Sequence, residues 1–188
     1  MLTAKQIIDR GIIYLSDGAK EKYKISDLEP AQAGIDLHMV SCSKIKSETF
    51  GTVYADYQKD DETGKTKKTK LPATEDVRLT TDNEGDCWIL EPGQYEIGFA
   101  EGCKFDTKTV GKIVHRSSVR RCGNEINSPI WDPGFYTDEM GTFLTVNHKM
   151  KIYFGARVGQ MVVFETKEEA EAYDGQYQGK GTLNGENK

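Results

Sequence analysis

Residues 111–135 read GKIVHRSSVRRCGNEINSPIWDPGF, and the reading of the whole chain turns on this stretch. It opens with a short β-rich run at 111–114, breaks at Gly123 and ends in the turn spelling Asp132-Pro133-Gly134. The same texture recurs outward from it, with short β-rich runs at 35–40, 95–99, 142–146, 151–154 and 160–164. Glycine, about one residue in ten, sits between these runs and punctuates them as turns. Many short strands with turn punctuation predict a mainly β domain, a sandwich or a barrel. Helical signals are confined to the two ends. Thr3-Ala4-Lys5-Gln6 spells a capping box before Ile7 and Ile8, which predicts a helix over about residues 4–10 closed by Gly11. Thr166-Lys167-Glu168-Glu169 predicts a second, running to about Tyr173 before Gly175.

The length of 188 residues predicts a single domain over 1–188, large enough to bury a core without disulfides. Residues 54–86 are polar throughout and centre on Gly64, so a long exposed hairpin or loop insertion is expected there. Its KTKKTK run is flanked by Asp60, Asp61, Glu62 and Glu75, which reads as a solvated loop rather than a phosphate patch. Residues 174–188 are expected to form a flexible, glycine-rich tail. A formal charge of −5 gives no support to wholesale binding of nucleic acid or an anionic membrane, so any anionic ligand must meet a local cationic site. Apolar runs such as Met161-Val162-Val163-Phe164 are far too short to span a bilayer. The opening MLTAKQIIDR has no apolar signal region, and the expectation is a cytoplasmic protein. Cys42, Cys87, Cys103 and Cys122 lie 45, 16 and 19 residues apart without a C-x-x-C pair, which argues against a zinc site; the even count allows two disulfides, but without a secretory signal reduced, packed thiols are expected. Walker A, H-E-x-x-H, G-x-S-x-G and G-x-G-x-x-G are absent, so the chemistry uses another arrangement.

Five pieces carry that chemistry. Arg116-Ser117-Ser118 places a guanidinium and two hydroxyls directly after a predicted strand, an arrangement suited to several phosphate oxygens. Asp132, ahead of Pro133-Gly134-Phe135, puts a carboxylate on a rigid turn where it can orient and deprotonate a water. Phe135 offers a flat face to a sugar ring. Asp36, within Ala33-Gly34-Ile35-Asp36-Leu37, and Gln160, at the head of an apolar strand, are polar groups in apolar surroundings and need partners. Tyr177 and Lys180, among the glycines of the tail, suit a flap that orders over a bound anion. Read singly, each piece is equally a capped turn, an Asx turn or a frayed end.

In order, AGIDL, LEPGQY, HRSSVRRCG, WDPGF, GARVGQMVVF and YDGQYQG resemble the dUTPase and dCTP deaminase superfamily over nearly the whole chain. The N-terminal helix and the YxG-type tail look like the deaminase branch and the archaeal-type dUTPases. The resemblance implies a distorted jelly roll, or β-clip, with short helices near the two termini, assembled as a homotrimer with three sites built between subunits. The deaminase branch uses a glutamate in a segment resembling T-L-E after the D-P-G turn. Here the corresponding strand, Gly141-Thr142-Phe143-Leu144-Thr145-Val146-Asn147, contains no acid, and Glu139 lies upstream of it. Residues 131–147 are instead similar to the archaeal-type dUTPase pattern of W-D-P-G-Y, a loop and L-x-V-x-N.

The resemblance therefore implies hydrolysis of dUTP to dUMP and pyrophosphate, with dCTP deamination, alone or combined with hydrolysis, as the alternative. A non-catalytic nucleotide-binding regulator is a third reading. By resemblance Asp132 activates the water that attacks the α-phosphorus, and Arg116, Ser117, Ser118 and Gln160 hold phosphates. Mg²⁺ bridges phosphate oxygens, with Asp36 assisting through a metal-bound water. Phe135 packs on the deoxyribose, Asn127 and the backbone of 127–130 read uracil, Arg121 reaches in from a neighbouring subunit, and Tyr177 and Lys180 close the tail. The chain departs from the family pattern at His115, Glu125 and Thr137.

Overall fold

The computed structural model describes residues 1–175 and 177–179. In chain order the N-terminal part contains α1 (Ala4–Asp9), β1 (Ile13–Tyr14), α2 (Asp17–Tyr23), β2 (Glu29–Ala31) and β3 (Gly34–Ile45). The central part contains β4 (Thr74–Asp76), β5 (Thr80–Asp82), β6 (Gly85–Leu90), β7 (Gly93–Phe99), β8 (Gly102–Lys104), β9 (Thr109–His115) and α3 (Ser117–Arg121). Then come β10 (Glu125–Asn127), β11 (Ile130–Trp131), β12 (Tyr136–Thr137), β13 (Gly141–Val146), β14 (Met150–Tyr153) and β15 (Arg157–Glu165).

These strands form one large antiparallel sheet in the order β10-β13-β7-β3-β15-β9-β11, with β2 and β4 also pairing with β3. Two three-stranded sheets, β1-β8-β12 and β14-β6-β5, complete the body. The mainly β class follows from the sequence texture, and each run expected to be β lies inside or across an observed strand. The 12-residue β3 is the spine, because it pairs with β2, β15, β7 and β4 and is buried from Gly34 to Val40. Its Ile35, Leu37 and Met39 point into the main core with Phe99, Ile113 and Met161. Val40, on the other face, joins Leu15, Ala19 and Ala100 in a smaller core beneath α2.

Two glycines are forced by packing. A Cβ on Gly34, which has φ 153°, would stand 2.2 Å from the Met161 carbonyl oxygen, and one on Gly111 would stand 2.4 Å from the Phe105 ring. At the N-terminus the capping box forms as spelled: the Thr3 side chain accepts from the Gln6 amide while the Gln6 side chain accepts from that of Thr3. Helix α2, unexpected from the sequence, is capped by Ser16, whose hydroxyl accepts from the Ala19 amide.

The helix expected from Thr166 to Tyr173 does not form. Backbone donors of that stretch bond outward instead, Thr166 to Lys108 O, Ala170 to Thr107 O and Tyr173 to Pro133 O. Glu168, Glu169 and Glu171 leave the stretch without an apolar face to bury, so docking of the extended chain wins over local propensity. Within the polar insertion only isolated bridges, Thr52 with Lys70 and Lys59 with Thr66, bracket the Gly64 turn, while residues beyond 73 join β4, β5 and β6. All four cysteines are free. Burial, aided by Asp76, pushes the Cys42 thiol up to about 12, so this group is a packing element and not a nucleophile. Among the described residues no helix is long and apolar enough to cross a membrane.

Candidate active site

The polar residues that the sequence left without partners meet in one cross-strand row. In register, Glu29 of β2 lies opposite Asp36 of β3, and Asp36 lies opposite Gln160 of β15. Directly opposed residues share a face, so the three side chains point the same way. Val114 of β9 continues the row, and Arg116, two residues further on, returns to that face. Asp36 is only 5% exposed and is fully engaged. Its Oδ2 lies 3.0 Å from Arg116 Nε, and its Oδ1 accepts from Gln160 Nε2 at 3.3 Å.

Arg157, which sequence reasoning missed, is the second cation of the cluster. Its guanidinium lies 3.1 Å from Glu29 and 3.9 Å from Asp36, and its carbonyl accepts from Arg116 NH1 at 3.2 Å. The signal for it was present in GARVGQ, immediately before Gln160. Two guanidiniums thus face two carboxylates and the cluster is electroneutral. Arg116 is also the N-cap of α3, with no side chain capping that end, and Ser117 and Ser118 are exposed on its first turn. Helix α3 continues through buried Val119 to exposed Arg121.

Beyond α3, the chain turns at Gly123 (φ 79°) and is tied by Asn124, which is fully buried. Asn124 Oδ1 accepts from the Asn147 and His148 amides at 2.8 and 3.0 Å, and its Nδ2 donates to the His148 carbonyl at 3.1 Å. This fixes β10, where Asn127 is exposed and its carbonyl accepts from Thr142 Oγ1 at 2.8 Å. Glu125, a departure from the family pattern, pairs with Arg120.

Asp132 occupies the first position of a tight turn. Phe135 N donates to Asp132 O at 3.2 Å, Pro133 supplies the fixed φ of the second position, and Gly134, at φ 76°, takes the left-handed third. Asp132 is exposed. Phe135, expected to face a sugar, is 8% exposed, with the rings of Trp131 and Tyr173 packed edge-on at centroid distances of 5.2 and 5.4 Å. In this structure it supports the turn from beneath, with Tyr173 packed against it.

The structure brings Asp36, Arg116 and Gln160 together, with Ser117 and Ser118 beside them, but Asp132 is elsewhere in the same chain. Trp131 is level with Gly111 of β9, and β11 runs antiparallel to β9, so Asp132 is level with Val110. Arg116 is six residues beyond Val110, which at 3.3 Å per residue separates Asp132 and Arg116 by about 20 Å along the strand. The described part of the tail lies on the turn, where Gln178 donates to Gly134 O and Gly179 N donates to Tyr136 O. Tyr177 is half-buried against the main core and its amide donates to the Tyr173 hydroxyl at 3.4 Å, while Lys180 lies outside the described residues.

Two further acids have defined partners. Glu139, just before β13, accepts from Tyr23 at 2.9 Å and pairs with Lys22 at 3.3 Å. Burial first, then Glu139, raises the Tyr23 hydroxyl pKa, the nearby Lys22 acting the other way. Glu101, fully buried, accepts from the His38 amide at 3.0 Å, and its other oxygen lies 2.5 Å from His38 Nδ1. Strand β13 itself carries no acid. Among the described residues no group of three or more His, Cys, Asp or Glu side chains converges as a metal cage.

Comparison with known proteins places this geometry. A probable deoxyuridine 5'-triphosphate nucleotidohydrolase of Halobacterium salinarum is 33% identical over 122 residues, 65% of this chain and 72% of that protein. A probable enzyme of the same name from Aeropyrum pernix is 34% identical over 94 residues, 49% of this chain and 59% of its own. The deoxyuridine 5'-triphosphate nucleotidohydrolase of Methanocaldococcus jannaschii is 28% identical over 149 residues, 79% of this chain and 86% of its own. Among solved structures, 2'-deoxycytidine 5'-triphosphate deaminase from Agrobacterium tumefaciens superposes with a TM-score of 0.54 at 12% identity, over 86% of this chain. This chain spans about half of that one, 47%, and the likeness is one of fold. The family profile described as dCTP deaminase-like matches residues 7–166, a span that takes in every strand of the three sheets. On that match the chain belongs to the dCTP deaminase-like family.

Proposed function

We propose that this chain hydrolyses dUTP to dUMP and pyrophosphate. The observation that carries the choice over deamination is the acid-free strand β13, where the resemblance would put the deaminase glutamate. Glu139, the nearest acid in sequence, is held by Tyr23 and Lys22. The dUTP nucleotidohydrolase names of the archaeal relatives support the same reading.

In this reading Asp132 accepts the proton of a water whose oxygen attacks the α-phosphorus, and the bond to the β-phosphate's bridging oxygen breaks. Arg116, Ser117, Ser118 and Gln160 hold the phosphates, Asn127 and the 127–130 backbone face the uracil, and Arg121, Tyr177 and Lys180 close the site. The clamp is electroneutral, so a triphosphate there requires positive charge from elsewhere. Mg²⁺ carried by the phosphates fits, since both Asp36 oxygens already have protein partners and Asp36 would meet a cation only through water. Bound Mg²⁺ would neutralise phosphate charge as pyrophosphate leaves. The roughly 20 Å between Asp132 and Arg116 supports a homotrimer in which one copy lends its base to a neighbour's clamp.

Incubating the protein with dUTP, dCTP, dTTP or UTP and Mg²⁺, with pyrophosphate and ammonia assayed separately, tests this. Pyrophosphate from dUTP alone is expected. Ammonia from dCTP, lost in Glu139→Gln, would replace this reading with deamination, and saturable dUTP binding without turnover would leave a regulator.

A further inference from the structure

We propose that Gln178 is a positioning residue for Asp132, its side-chain amide standing in for a strand that the turn lacks. The inference rests on the reading of Asp132 as the base. The turn that carries Asp132 is bound on one side by the body of the fold, where Gly134 N donates to Asp106 O at 3.2 Å and Phe105 N donates to Phe135 O at 2.9 Å. On the other side, among the described residues, its backbone is met by the C-terminal segment. Tyr173 N donates to Pro133 O at 2.7 Å, Gln178 Nε2 donates to Gly134 O at 2.8 Å, Tyr136 N donates to Gln178 Oε1 at 3.3 Å, and Gly179 N donates to Tyr136 O at 3.0 Å.

Gln178 therefore accepts and donates across two positions, 134 and 136, one residue apart. This is the pattern by which a neighbouring strand reads alternate residues. A planar amide with one donor and one acceptor face reproduces it from a side chain. Ala172 sits over Gly134, where an added Cβ would come within 2.7 Å of it, and Tyr173 covers Phe135. The turn is thus clasped between Asp106 and the described C-terminal segment, while Asp132 remains exposed. Gln178 holds the segment just C-terminal to the base without touching the clamp, so it acts on the direction of attack and not on nucleotide affinity. A small displacement of a reacting group costs about 10²-fold in rate.

The test uses the full chain with Mg²⁺. Gln178→Ala should lower kcat for dUTP by about 10- to 100-fold, with KM, and affinity for a dUTP analogue carrying an imido group between the α- and β-phosphorus, within about twofold of wild type. Gln178→Glu, which keeps an acceptor for Tyr136 N and loses the donor to Gly134 O, should fall between them. Amide hydrogen exchange at Tyr136 should accelerate in Gln178→Ala and remain slow in Gln178→Glu, a readout independent of turnover. An unchanged kcat in Gln178→Ala, or a loss of analogue affinity matching the loss of kcat/KM, overturns the inference, the latter by making Gln178 a phosphate ligand. Wild-type protein that releases no pyrophosphate from dUTP would instead overturn the hydrolase reading on which it stands.

Discussion

At the scale of the residue, Asp36 and Asp132 show two opposite uses of a carboxylate. Asp36 is buried and spends both oxygens on Arg116 and Gln160, so it fixes the guanidinium. Removing one partner of such a buried pair strands the other charge, which explains why an acid stands in an otherwise apolar strand. Asp132 is exposed on a tight turn where, on the proposed reading, it works on a water. Asp132→Asn keeps the shape and removes the basic oxygen. It should lower kcat for dUTP by about 10²- to 10⁴-fold with little change in analogue binding; a fully active Asp132→Asn enzyme removes Asp132 from the mechanism. From sequence, the need of Asp36 and Gln160 for partners was legible because polar groups in apolar strands are costly. Arg157 and Glu29 were not, because strand register decides who faces whom and register is a long-range property.

At the scale of the element, local signals survived where their partners lie within a turn of chain. The capping box at Thr3 is a contact between neighbours and forms as spelled. The TKEE start at Thr166 carries the same kind of signal but has no apolar face behind it, and Thr107, Lys108 and Pro133 capture its amide groups. Helix α2 had its Ser16 cap but, with Gly18 and Lys20, Lys22 and Lys24 in so short a run, no clear periodicity. What locks α3 and β10 to the turn between β13 and β14 is Asn124. Its truncation to alanine leaves the Asn147 and His148 amides and the His148 carbonyl without this partner. Asn124→Ala should cost about 2–4 kcal/mol, read as a lower urea midpoint with an unchanged slope. A loss below about 1 kcal/mol would mean that water takes over these bonds without penalty.

At the scale of the whole molecule, β9 is the ruler. Arg116 stands past one end of it and the turn with Asp132 beside the other, so on the proposed reading one copy holds two halves of a site too far apart to act on one phosphate. Mixed assemblies should reveal this. Arg116→Ala and Asp132→Asn, each inactive alone, should recover about a quarter of wild-type activity when refolded together in equal amounts, because one neighbouring pair in four joins an intact clamp to an intact base. No recovery would mean that base and clamp come from the same copy. Fold class and motif order were legible along the chain, whereas this division was not visible in spacing alone, since Arg116 and Asp132 are only sixteen positions apart in sequence. The separation also bears on mixtures of sound and faulty chains. On the proposed trimer, a chain damaged at both positions would spoil the site on either side of it, so equal doses of sound and faulty chains would leave about a quarter of the sites intact and not half.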